Sequence, residues 1–153
     1  MCIIIDANLA SVVFGKDTPK DFCPIIDWLT KKDGILVVGG HLTKELDKVD
    51  SARRFVRTLL QAGRARIIPS TVTDEKTILI TNQCESDDPH VIALAKLSGA
   101  RILCSLDKNL HKDFTNSALI SNPRGHVYQT LEHEPLLRKY GHTEACRSII
   151  HQN

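Results

Sequence analysis

Asp88-Pro89-His90-Val91-Ile92-Ala93-Leu94-Ala95-Lys96-Leu97-Ser98-Gly99-Ala100-Arg101-Ile102-Leu103-Cys104-Ser105-Leu106-Asp107 decides the fold. In its first half Val91, Ile92, Leu94, Ala95 and Leu97 recur at helical spacing. Asp88 stands at the N-cap, Pro89 suits the first helical turn and Gly99 suits the end. Its second half, Ile102-Leu103-Cys104, is a short apolar run that reads as a buried strand, with Ser105 and Asp107 just past its carboxyl end. A helix that feeds directly into a buried strand is the repeating unit of a parallel sheet.

The same alternation extends in both directions. Residues 2–6, Cys2-Ile3-Ile4-Ile5-Asp6, form a β-branched run closed by an acid, and residues 8–14 suit a short helix. Phe22, Ile25, Ile26 and Leu29 give a helix over 20–32 that ends at Asp33-Gly34. A second buried strand, 35–38, is closed by Gly39-Gly40 and followed by a short helix over 42–49. Ser51 is the expected cap of a helix running to Ala62-Gly63, with Arg66-Ile67-Ile68-Pro69 a short strand after it. A helix is expected over 70–83 and an amphipathic turn over 107–114. Asn122-Pro123-Arg124-Gly125 is a turn, Val127-Tyr128 a last strand and 132–139 a short helix. The expected fold class is α/β: a single domain with a parallel sheet of about five strands and helices on both faces.

Composition agrees with one globular domain: 153 residues, 42% hydrophobic, 25% charged and a formal net charge of +2. No apolar run is long enough to span a bilayer, and the opening residues meet a charge at once, unlike a signal peptide. The cysteines are Cys2, Cys23, Cys84, Cys104 and Cys146; their odd number and lack of C-x-x-C spacing suggest reduced, mostly buried thiols in a cytoplasmic protein. His142 and Cys146 lack the second ligand pair a zinc site needs.

Sites in parallel sheets form beyond the carboxyl ends of the strands. Asp6 and Asp107 lie at such ends, Glu45 starts the helix that leaves the second strand, and Asp88 opens the helix that runs back to the Asp107 strand. Four carboxylates without matching cations repel one another, so the cluster is expected to hold a divalent metal. Asp87 is the alternative to Asp88, and Asp47 or Asp50 to Glu45. Asp113 reads as a surface residue. Asn8 and Ser105 are the expected supporting groups, and His90 is either a proton carrier near the metal or an ordinary histidine. Arg53, Arg54 and Arg57, with Arg64 and Arg66 close behind, form either a phosphate-binding surface or a solvated helix face. Phe14, Trp28 and Phe55 read as core, whereas Tyr128 and Tyr140 have no evident place.

At these residues the chain resembles a PIN domain. The matching pieces are Ile4-Ile5-Asp6-Ala7-Asn8, Leu42-Thr43-Lys44-Glu45-Leu46, Asp87-Asp88-Pro89-His90-Val91-Ile92-Ala93-Leu94-Ala95 with Gly99-Ala100, and Ile102-Leu103-Cys104-Ser105-Leu106-Asp107. The match covers 1–114, and 115–153 extends past it. The resemblance implies a metal-dependent ribonuclease in which Asp6, Glu45, Asp88 and Asp107 hold Mg²⁺ or Mn²⁺ and carry the catalysis. It also implies a homodimer and, in the toxins of the family, an antitoxin partner. The metal would activate water for in-line attack on RNA, and no covalent nucleophile falls at the site edge. A receiver-like phosphoacceptor would need a lysine after the last strand, which Lys108 beside Asp107 matches poorly. The alternative from another class is a non-catalytic PIN-like module that binds RNA or a partner.

Overall fold

The computed structural model describes residues 2–140. The chain opens with β1 (Cys2–Ile5) and α1 (Ala7–Val13). A single 3-10 turn at Lys20–Phe22 leads into α2 (Cys23–Lys31), so the expected helix over 20–32 begins as a tighter turn. Then come β2 (Ile35–Gly39), α3 (Gly40–Asp47), α4 (Asp50–Gln61), β3 (Ala65–Ile68) and α5 (Ser70–Ile80). After them follow α6 (Pro89–Ser98), β4 (Ile102–Cys104), α7 (Lys108–Thr115), β5 (His126–Val127) and α8 (Glu134–Tyr140).

The five strands form one sheet in the order β3-β2-β1-β4-β5, and every neighbouring pair is parallel. The described helices surround it. The three inner strands are buried at every position, as continuous apolar runs in a doubly covered sheet must be. The edge strands β3 and β5 are only partly covered. Residues 126–127 therefore belong to the sheet, although they lie beyond 1–114.

Two glycines set the helices that carry the site. Gly40 begins α3 at φ +54°, where a side chain is strained, and a Cβ there would come within 2.9 Å of Thr73 Cγ2. Gly99 ends α6 in the left-handed conformation with φ 78°, and its N–H bonds Ala95 O.

Several expectations are corrected. Ser51 does not cap α4: the turn closes through Val49 N–H to Leu46 O, so the helix starts at Asp50 with Val49 before it. The stretch 107–114 is a helix, because Asp107 caps it. Cys23, Cys84 and Cys104 are free thiols as expected, but Cys2 is disulfide-bonded. Pairing depends on Cα separation and direction, which spacing along a chain does not reveal. Phe14 and Trp28 are core, Phe55 stacks on Phe14 at 4.6 Å, and Tyr128 is buried with its hydroxyl donating to Asp21 O at 2.6 Å. His142 and Cys146 lie outside the described residues. Among those that are described, no helix is long and apolar enough to cross a membrane.

Candidate metal centre

Asp6 and Asp107 leave adjacent strands, since Ile5 pairs with Cys104. Asp6 is 3% exposed and its N–H bonds Cys104 O at 2.8 Å. Ser105 ties the two acids together. Its hydroxyl donates to Asp6 Oδ2 at 2.7 Å and accepts the Asp107 N–H at 3.1 Å. Asn8 approaches Ser105 Oγ with its Nδ2 at 3.4 Å and accepts Leu106 N–H at 3.2 Å. Ser105 thus holds the Asp6 carboxylate, and Asn8 holds the Ser105–Leu106 loop. Asp107 Oδ1 also caps α7, accepting from Asn109 N at 2.9 Å and Leu110 N at 3.2 Å.

Glu45 and Asp88 approach from the helices. Glu45 is half-buried, whereas Asp47 and Asp50 are exposed, and Asp50 is occupied by Arg53 at 2.9 Å. Asp87 is likewise exposed and Asp88 partly buried. Asp88 stands at the N-cap of α6, yet its carboxylate makes no capping bond. Its own N–H donates to Ser86 Oγ at 3.0 Å, and Ser86 Oγ also donates to Asp107 Oδ2 at 3.4 Å.

His90 lies two residues on, in the first turn of α6, with its side chain 8% exposed. Its Nε2 is 2.9 Å from Glu45 Oε1 and its Nδ1 is 4.0 Å from Asp88 Oδ1. The exposed His41 ring packs edge-on against it at 4.9 Å. Donor atoms of Glu45, Asp88 and His90 all lie within 4.8 Å of one another. The 2.9 Å contact lacks hydrogen-bond geometry, so Glu45 Oε1 and His90 Nε2 are both buried without a hydrogen-bond partner.

Asp6 and Asp88 feel the charges of the other acids, but only Glu45 and Asp88, with His90, bring donor atoms within 4.8 Å of one another. Burial raises the Asp6 carboxyl above the ordinary carboxylate value, opposed by the Ser105 hydrogen bond and reinforced by the charges of Asp88 and Glu45. Burial likewise raises Asp88; nearby His90 opposes the rise, and Glu45, Asp107 and Asp87 add to it. No lysine or arginine among the described residues forms an ion pair with any of the four. A divalent cation fits this donor set: it would offset the mutual repulsion and take up the two orphaned buried atoms.

Asp113 is not at the surface as expected. It is 2% exposed, and its oxygens accept Glu85 N–H at 3.0 Å and Ser86 N–H at 2.9 Å. It pins the loop that delivers Ser86 and Asp88. The alternation of α7 points residue 113 inward with Leu110 and Phe114, and an acid on that face is the signal that a surface reading misses.

The arginines do not form one patch. Arg53 and Arg57 border a groove with Val38, Thr43 and Ile67, while Arg54 borders a different one with Phe14 and Lys16. Arg64 closes the end of α2 by donating to Leu29 O and Lys32 O, and Arg66 donates to Ala65 O at 3.0 Å. These last two are spent on backbone carbonyls.

Compared with family models, with curated proteins and with solved structures, the chain matches none.

Proposed function

We propose that this protein is a metal-dependent endoribonuclease that hydrolyses RNA phosphodiester bonds, with Asp6, Glu45, Asp88 and Asp107 as metal-holding catalytic residues. The observation that carries the reading is the electrostatic one. Glu45 and Asp88 bring donor atoms within 4.8 Å of each other and of His90, neither is paired with lysine or arginine, and burial and the charges of neighbouring acids raise Asp6 and Asp88. Such an arrangement is costly for a fold unless a cation resides there.

Bound Mg²⁺ or Mn²⁺ would supply a water of lowered pKa and neutralise charge on the scissile phosphate. The chain's own residues supply position. Ser105 holds Asp6 at a fixed angle and Asn8 holds the Ser105 loop. Ser86 joins the Asp88 backbone to the Asp107 carboxylate, so ligands from the α6 and α7 ends keep a common spacing. No residue at this edge is needed to attack phosphorus covalently. RNA as substrate, the homodimer and an antitoxin partner rest on the resemblance to PIN domains.

The test is cleavage of a labelled RNA with added Mg²⁺ or Mn²⁺, with chelator, and with Asp6→Asn. The reading expects cleavage only in the presence of metal and intact Asp6. Undiminished cleavage in chelator would overturn it, and metal binding without cleavage of any RNA would leave a non-catalytic binding module.

A further inference from the structure

We infer that His90 is itself a metal ligand, completing a mixed nitrogen and oxygen set with Glu45 and Asp88, so that the resident ion is a first-row transition dication rather than Mg²⁺. This rests on the reading of the site as a metal centre and adds the identity of the ion.

Three observations lead there. The imidazole is more than nine-tenths buried, and its Nε2 has no hydrogen-bond partner. A buried ring nitrogen without a hydrogen bond costs free energy that a metal bond would recover. Second, Nε2 stands 2.9 Å from Glu45 Oε1 with the wrong angle for a hydrogen bond. Two neighbouring ligands on one six-coordinate ion, each about 2.1 Å from it, stand about 3 Å apart. The spacing equals that of two ligands sharing an ion and also that of a direct imidazolium–carboxylate pair, which the experiment separates. Third, the His41 ring packs edge-on against that of His90 at 4.9 Å.

The ring nitrogen decides the metal. Mg²⁺ takes oxygen ligands and keeps several waters, whereas imidazole suits iron, nickel, copper and zinc ions, for which paramagnetic Mn²⁺ stands in as a probe. Asp6 and Asp107, anchored by Ser105 and the α7 backbone, stand outside the 4.8 Å group of Glu45, Asp88 and His90.

The experiment uses tag-free full-length protein with Mn²⁺ or Mg²⁺ as the probe. Calorimetry gives the two affinities, and pulsed electron-spin spectroscopy of the Mn²⁺ form reads coupling to a directly bound ¹⁴N. Wild type is expected to show one imidazole coupling and to bind Mn²⁺ more tightly than Mg²⁺. His90→Gln should lose the coupling and weaken Mn²⁺ about tenfold or more, the loss that even outer-shell groups cause. His41→Gln should retain the coupling. Should the His90 variant fail to fold, ¹⁵N-histidine labelling of wild type replaces the ¹⁴N signal without any substitution. Mn²⁺ bound with no nitrogen coupling, or Mg²⁺ bound as tightly as Mn²⁺, would overturn the inference and leave the metal-centre reading standing. Absence of any divalent binding would remove both.

Discussion

Replacing Asp113 with alanine tests whether the loop before α6 is held by one buried carboxylate. Two backbone N–H groups, of Glu85 and Ser86, donate to it at 3.0 and 2.9 Å. Hydrogen bonds to a charged acceptor contribute about 1.5–3 kcal/mol each, so the gross loss is about 3–6 kcal/mol. Two effects offset part of this. Glu85 is exposed and its N–H can turn to water, and the variant no longer buries a charge. The net loss expected is about 2–4 kcal/mol, a fall in the thermal midpoint of roughly 10 °C for a chain of this size. Urea unfolding of Asp113→Ala beside wild type measures it. Mn²⁺ affinity should fall in parallel by about tenfold or more, because Ser86 and Asp88 ride on the released loop. A stability loss below about 1 kcal/mol would refute the buried clamp. A full loss with unchanged metal affinity would show that the clamp does not position the site.

Asp88→Ala should abolish RNA cleavage while costing no more than about 0.5 kcal/mol by denaturant titration, because its side chain makes no capping bond. In chelator, Asp6→Asn should melt higher than wild type, by a margin that grows with pH. The raised Asp6 carboxyl contributes stability present below its ordinary value and lost as pH rises through its higher folded value, and asparagine does not titrate; a margin independent of pH from 4 to 8 would count against this. Arg57→Gln should lower the salt dependence of RNA binding by about one phosphate contact. Arg53, already engaged by Asp50 and Asp47 O, and Arg54, on the other groove, should change it less; equal effects of all three, measured across salt concentrations, would show a diffuse charge instead.

What the sequence disclosed follows from which interactions are local. Apolar runs and glycines determined the strands, and the rule for parallel sheets then placed Asp6, Asp88 and Asp107 at one edge, since that rule needs only backbone direction; Glu45 was expected at the start of its helix but is the sixth residue of the eight in α3. The choice of Glu45 over Asp47 and Asp50 needed burial, which helical phase alone left open. Capping misled twice for one reason. Ser51 and Asp88 have the right type to cap, but a cap bond depends on a side-chain angle that competing partners determine. At Asp88 the backbone O, not the carboxylate, accepts the Val91 N–H, and the side chain makes no cap bond. Asp113 is a contact across 27 and 28 residues, beyond any local pattern.

His90 falls between these cases, and its place was open to argument. Side chains of a helix lean back toward its N-terminus. A helix whose first turn lies at the carboxyl edge of a parallel sheet therefore aims its first-turn side chains at the site. Pro89 begins α6, so residue 90 is within that turn. The same geometry that selects Asp88 selects His90, and weighing a histidine alone, without the direction of its helix, is what makes it look ordinary. Glu45 arrives at it from α3 by a second route, through the Gly39-Gly40 turn that no residue with a Cβ could close without displacing Ile68 or Thr73. Two helices set by two different turns thus meet at one buried nitrogen and one buried oxygen. Chance contact between unlike surfaces would leave such atoms in water or hydrogen-bonded. Their joint burial without a hydrogen bond argues that the sheet edge is shaped for a third body between them.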